Sequence, residues 1–252
     1  MGRQLRAISV VALIILVAAG MAGAAGWTET WEGYTSGNTP YDSWVLGNGT
    51  WMTLGTPNHT AGGAQSYKIG GTPAPISRIG KNLGFTASAQ DVITLDGWFY
   101  DSSTASTKRT FGGIQNEFAV DTALARIGCN NGAQYQFHYI NPALVTVNVG
   151  FGNQVGWHYW KLVFTKQTGG VNWKVDWRLD KVDGTPYTGT VTYAWGAATA
   201  TKVVIGYNYS NTYEVDWDDI KVSGTVVPEP SGLIALGTGL LGIVGLMRRH
   251  RA

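Results

Sequence analysis

Three carboxylates stand at alternate positions in Glu214-Val215-Asp216-Trp217-Asp218. On an extended strand alternate residues share a face, so this spacing gathers Glu214, Asp216 and Asp218 on one side. A retaining glycosidase needs two carboxyl groups about 5 to 5.5 Å apart, one as general acid and one as nucleophile. A raised pKa on one of them would suit the acid. These three are the candidate catalytic residues. The following residue, Asp219, interrupts the apolar alternation set by Val215 and Trp217 before Ile220 and Val222 resume it. A β-bulge there would turn two adjacent carboxylates outward, as the corner of a cation site or as a solvated acidic strand end.

Other chemistry-bearing residues are sparse. The four histidines are scattered; His138 and His158 lie in aromatic segments and are expected to be packed and hydrogen-bonded. No Gly-x-Ser-x-Gly elbow or phosphate loop is present. The single Cys129 forms no intrachain disulfide and belongs to no multi-cysteine zinc site, so it is a buried small hydrophobe or a lone thiol. Most of the 11 tryptophans must be core. Trp27, Trp44, Trp51 and Trp195 fall near predicted loops or polar surroundings, which makes them the candidates for an exposed platform that stacks on sugar rings.

Only 13% of the 252 residues are charged, whereas 44% are hydrophobic and 12% aromatic. That excludes a disordered chain and implies a packed, aromatic-rich fold. The net charge of +2 comes from the ends. Without Arg3, Arg6, Arg248, Arg249 and Arg251, the 18 basic residues fall to 13 against 16 acids, leaving the body at roughly −3. Phosphate recognition needs clustered Lys and Arg, so no nucleic-acid partner is expected.

The elements that must hold these residues are strands. Runs of β-type residues at 64–69, 92–100, 110–120, 134–139, 157–165, 171–179, 202–209 and 213–222 alternate with turn signals such as Asn130-Asn131-Gly132, Thr168-Gly169-Gly170 and Asp183-Gly184-Thr185. No amphipathic helix interrupts them, and one β-sandwich over residues 25–226 accounts for the body. Alternation in 156–164 puts His158, Trp160, Leu162 and Phe164 on one side and Trp157, Tyr159, Lys161 and Val163 on the other. In the next strand Lys174 and Arg178 are expected to face solvent or a ligand groove.

The pair Trp157-His158 followed by Leu162-Val163-Phe164, the Gly169-Gly170 turn and Asp183-Gly184 resembles the paired strands of concanavalin A-like and laminin-G-like jelly rolls. Thr30-Trp31-Glu32-Gly33-Tyr34 through Trp44, Gln65-Ser66-Tyr67-Lys68-Ile69 and the closing 215–222 resemble the first and last strands of such modules. The resemblance implies an all-β jelly-roll sandwich, in a superfamily that holds lectins, hydrolases and adhesion modules alike. Within it, residues 214–218 are similar to the Glu-x-Asp-x-Glu signature of laminarinase-like glycoside hydrolases, with Asp218 in place of the final Glu. Related carbohydrate-binding sandwiches clasp one structural calcium between an early acid and an acid on the last strand, which implies Glu32 with Asp218 or Asp219. Calcium takes six to eight oxygens, so loop carbonyls would supply the rest.

Two address labels flank this body. Arg3 and Arg6, the apolar run 8–19 and the small residues Ala22 and Ala24 read as a secretory signal over 1–24, cleaved by signal peptidase after Ala24. At the other end, Val227-Pro228-Glu229-Pro230-Ser231, an apolar stretch to Met247 and the closing Arg248-Arg249-His250-Arg251-Ala252 resemble the PEP-CTERM sorting signal, over 227–252. Two prolines stop the last strand, an apolar helix anchors the chain in the membrane, and the arginines stay cytoplasmic. That resemblance implies processing by an exosortase at the surface of an exopolysaccharide-producing Gram-negative bacterium. The expected function is a surface-sorted, non-catalytic module that contacts exopolysaccharide or cell-envelope glycans. The alternatives are a glycoside hydrolase using Glu214, Asp216 and Asp218, and a structural matrix protein without a defined ligand.

Overall fold

The computed structural model describes residues 25–35, 44–48, 53–69, 78–107, 109–116, 124–206 and 213–227. The expected signal segment, Trp51 and the tail from Pro228 onward lie outside them. Among the described residues no helix is long and apolar enough to cross a membrane. Ala25–Gly224 forms one unit; of the other, comprising 1–24 and 225–252, only 225–227 are described.

Strands, numbered along the chain, form two antiparallel sheets. The first runs β13 (Pro186–Tyr193), β12 (Trp173–Asp180), β11 (Gly156–Lys166), β6 (Val92–Asp101), β15 (Val215–Thr225), β4 (Ser66–Ile69) and β3 (Thr53–Gly55), with β1 (Ala25–Glu29) also on β15. The second runs β10 (Leu144–Gly152), β9 (Gln134–Ile140), β8 (Ala125–Asn130), β7 (Arg109–Gln115), β14 (Lys202–Gly206), β5 (Arg78–Asn82) and β2 (Val45–Asn48). The chain steps from β4 to β5, β6 and β7 by changing sheet each time, and again from β14 to β15. These nested crossings give the sandwich its jelly-roll-like course.

Each of the eight expected runs overlaps a strand, the ends at 117–120 and 207–209 lying outside the described residues. The unanticipated strands are β1, β2, β3, β5, β8, β10 and β13. β2 and β3 are too short to show a period, and Pro186 and Gly189 in β13 look like turn residues although β12 holds them extended.

One core fills the space between the sheets. Phe99, Trp160 and Trp217 meet at its centre, with Trp160 and Trp217 edge-to-face at 5.7 Å. Gly112 on β7 makes room for that pair, since a Cβ there would lie 2.6 Å from Trp217. His158 is among the polar groups it encloses, fully buried with Nδ1 2.8 Å from the Asp180 carbonyl and Nε2 3.0 Å from the Tyr135 hydroxyl.

Candidate functional site

β15 exchanges partners where its carboxylates cluster. Val215 to Trp217 pair with β4, Ile220 to Gly224 pair with β1, and the inward alternation slips by one residue between Trp217 and Ile220. Asp219 takes a φ of 49° at the slip. The extra residue sends both Asp218 and Asp219 toward the segment before β4, where they bind His59 and Thr60. Asp218 Oδ2 accepts the backbone N–H groups of His59 at 2.7 Å and Thr60 at 3.0 Å, while Oδ1 accepts Thr60 Oγ1 at 3.2 Å and Asp219 N at 2.8 Å. Asp219 accepts Thr60 Oγ1 at 2.8 Å and lies 2.9 Å from His59 Nδ1. Glu32, just past β1, accepts the N–H groups of Ala64 and Gln65 through one oxygen.

This donor set weighs against the calcium expectation. Three backbone N–H groups, those of His59, Thr60 and Asp219, point at the Asp218 carboxylate, and donors so placed repel a cation. Glu32 is likewise turned toward N–H groups, and among the described residues no three His, Cys, Asp or Glu converge on a metal site. The early acid and the last strand are indeed tied together. The tie is the segment 59–65, hydrogen-bonded to Glu32 at one end and to Asp218 and Asp219 at the other.

Two of the catalytic candidates are little exposed. Asp216 and Asp218 share the outward face as alternation requires, but they are 1% and 0% exposed. The Ser66 hydroxyl lies 3.2 Å from Asp216, and its single proton is shared among that carboxyl and the carbonyls of Pro57 at 2.8 Å and Gly55 at 3.2 Å. Burial raises the Asp216 pKa to about 7, against the lowering effects of Lys68 and the Ser66 bond. Burial also raises that of Asp218, with the N–H groups of His59 and Thr60 pulling it back. Glu214 remains partly exposed and ion-paired to Lys68 at 2.9 Å. Of the three carboxylates, Glu214 alone is open to solvent to any extent.

Among the described residues, the tryptophans chosen from sequence do not gather into a platform. Trp44 is wholly buried, donating Nε1 to the buried Glu29 at 2.9 Å and packing on Trp31. Trp195 is buried in the core, stacked on Phe164 at 4.3 Å. Trp27 is half-buried, donating to the Asn82 carbonyl, with Lys81 over its ring. Trp51 lies outside the described residues.

The partly exposed aromatics are elsewhere, on the outer face of the first sheet. Trp98 and Tyr100 of β6 stand directly across from Tyr159 and Trp157 of β11, with ring centroids 5.3 and 5.5 Å apart. His59, held by Asp219, stacks on Trp98 at 3.9 Å and meets Trp157 edge-on. Thus the clasp and the aromatic patch are one construction. Charged groups continue the face: Asp96 opposes Lys161, and Lys161 opposes Arg178. Arg178 grips Asp180 through Nε and Nη2 at 2.6 and 2.7 Å and lies over Tyr159. Burial pushes the Tyr159 hydroxyl up to about 12 and raises Asp96 as well. The residues missed from sequence are therefore Trp98, Tyr100 and His59. Their signal was Trp157 and Tyr159, aromatics on the side of β11 that does not face the core.

The fold and site together describe a two-sheet, all-β domain with an aromatic and charged outer face. Neither a protein-family model nor a curated protein matches the sequence. Solved structures similar in chain course include the CBM2 module of the evolved Dit of Lactobacillus casei BL23 phage J-1, at 12% identity and a TM-score of 0.48, covering 81% of this chain and 97% of that one. Another is the carbohydrate esterase vb_24B_21 of Shiga toxin-encoding bacteriophage phi24B, at 16% identity and a TM-score of 0.47, covering 79% and 100%. A third is the T. cruzi calreticulin globular domain, at 9% identity and a TM-score of 0.48, covering 88% and 98%.

Proposed function

We propose that this chain is an exported surface module that contacts polysaccharide through the outer face of its first sheet without turning it over. The observation that carries this reading is the contiguous patch of Trp98, Tyr100, Trp157 and Tyr159 beside Lys161, Arg178 and Asp96. Sugar rings present C–H faces that stack on aromatics and hydroxyl rims that need donors and acceptors, and the face offers both. The burial of Asp216 and Asp218, with His59 and Thr60 bonded to Asp218, supports a reading without turnover. Export rests on the secretory pattern of 1–24 and the PEP-CTERM-like pattern of 227–252, which call for signal peptidase, membrane anchoring through the C-terminal helix and an exosortase.

Retardation of the purified protein in gels cast with exopolysaccharide tests the reading. Each of Trp98→Ala and Trp157→Ala is expected to weaken retention about tenfold while circular dichroism stays unchanged. Equal retention of all three proteins would remove the patch from the binding surface. Release of reducing sugar from the same polysaccharide would overturn the non-catalytic part.

A further inference from the structure

Among the described residues, β13 and β3 end the strand order of the first sheet and β10 and β2 that of the second, with β1 a further edge strand of five residues on β15, and all but β13 are short or broken. β3 and β2 have only three and four residues, while β10 breaks register between Asn148 and Gly152, with Gly150 at a φ of 104°. Short edges and bulges deny an added strand a regular ladder. β13 has neither device. It pairs with β12 in unbroken register from Trp173 opposite Tyr193 to Asp180 opposite Pro186, and it ends its sheet. It carries no charged residue, and its one proline stands at the first position. Thr188, Thr190 and Thr192 are exposed along it.

The strand is also nearly palindromic: Tyr187-Thr188-Gly189-Thr190-Val191-Thr192-Tyr193. Laid antiparallel on its own copy about Thr190, it sets Thr opposite Thr three times and Tyr opposite Tyr at both ends. Thr–Thr pairs and aromatic pairs are favourable across strands, and a self-complementary edge is what a two-fold interface requires. We propose that β13 pairs with β13 of a second copy of this chain, giving a homodimer whose two first sheets merge into one. Thr190 lies on the two-fold axis, and Thr188 faces the partner's Thr192. Because a two-fold of this kind runs perpendicular to the sheet, both outer faces look the same way. The two aromatic patches, three to four strands from the joint, then stand about 30 Å apart. That would let one polymer engage both copies, a consequence that rests on the proposed glycan contact; the pairing itself does not.

Sedimentation equilibrium of the full chain over a range of concentrations tests the pairing, with circular dichroism recorded for every variant. The wild type is expected to show twice the monomer mass. Thr188→Lys with Thr192→Lys opposes like charges at both ends of the ladder and is expected to weaken the dimer at least about tenfold. Thr188→Lys with Thr192→Asp opposes unlike charges instead and is expected to keep it. A wild type that stays monomeric, a dimer indifferent to the double lysine variant, or an opposite-charge variant as dissociated as the double lysine one would each overturn the proposal. Exopolysaccharide retention by the dissociated variant separates this outcome from failure of the binding face.

Discussion

Replacing Asp216 with Asn should stabilise the protein, and increasingly so as pH rises from about 4 to 7. Its carboxyl is 1% exposed, faces Lys68, Glu214 and Asp218, and receives one hydroxyl from Ser66. Burial lifts its pKa from 3.8 to about 7. Ionising this group in the folded protein therefore costs about 4 kcal/mol more than in the unfolded chain. The sign follows from proton binding. Between about pH 4 and 7 the native state holds a proton that the unfolded chain releases, so stability falls as pH rises through that window and is flat above it. Asn removes the ionisation but keeps an oxygen for Ser66. At pH 8.5 the variant should be more stable by roughly 2 to 4 kcal/mol, allowing for the attraction of Lys68, or about 10 °C in Tm for a domain of this size. The offset should shrink to about 1 kcal/mol at pH 4.5 and vanish near pH 3, where both states hold the proton. Thermal unfolding followed by circular dichroism across this range is the assay. A variant no more stable than wild type at pH 8.5, or an offset independent of pH, would refute the claim that burial dominates the Asp216 environment.

Three further outcomes follow from single contacts. Asp218→Ala strands the N–H groups of His59, Thr60 and Asp219 and should cost about 3 kcal/mol in urea unfolding, with faster hydrogen exchange at His59 and Thr60. Calcium and a chelator at matched ionic strength should give the same Tm, because N–H donors point at the Asp218 carboxylate; a rise with calcium alone would restore the cation site. Gly189→Ala would place a Cβ 2.2 Å from the Trp177 ring and should destabilise by about 1 to 3 kcal/mol in the same urea experiment, unless that ring is free to move.

The sandwich was legible because its long strands alternate cleanly. Trp173, Val175, Trp177 and Leu179 point inward on β12 as their spacing requires, and Val215, Trp217, Ile220 and Val222 do so on β15 once the inserted residue is allowed for. The same alternation placed Asp216 and Asp218 outward correctly. What it could not show is that His59 and Thr60, more than 150 positions away in sequence, bond Asp218, or that Ser66 stands against Asp216. A period of two assigns a side chain to a face, whereas accessibility depends on which loop covers that face.

The tryptophans failed for a related reason. Nearness to polar residues was taken as exposure, yet Glu29, the polar neighbour that holds Trp44, is itself buried and accepts the indole N–H. A buried carboxylate attracts donors inward, so an aromatic with a polar tip is drawn to the core beside it rather than to solvent. The better signal was an excess. The inward positions of β11 were already filled by His158, Trp160, Leu162 and Phe164, so Trp157 and Tyr159 had no core to enter. Their cross-strand partners Tyr100 and Trp98 repeat that pattern on β6, where Ile93, Leu95 and Phe99 fill the interior. Two neighbouring strands that each spend large aromatics on the outer side leave apolar surface facing water, and a single histidine ring covers only part of it. That uncompensated surface, more than any carboxylate, is where a ligand has most to gain by binding.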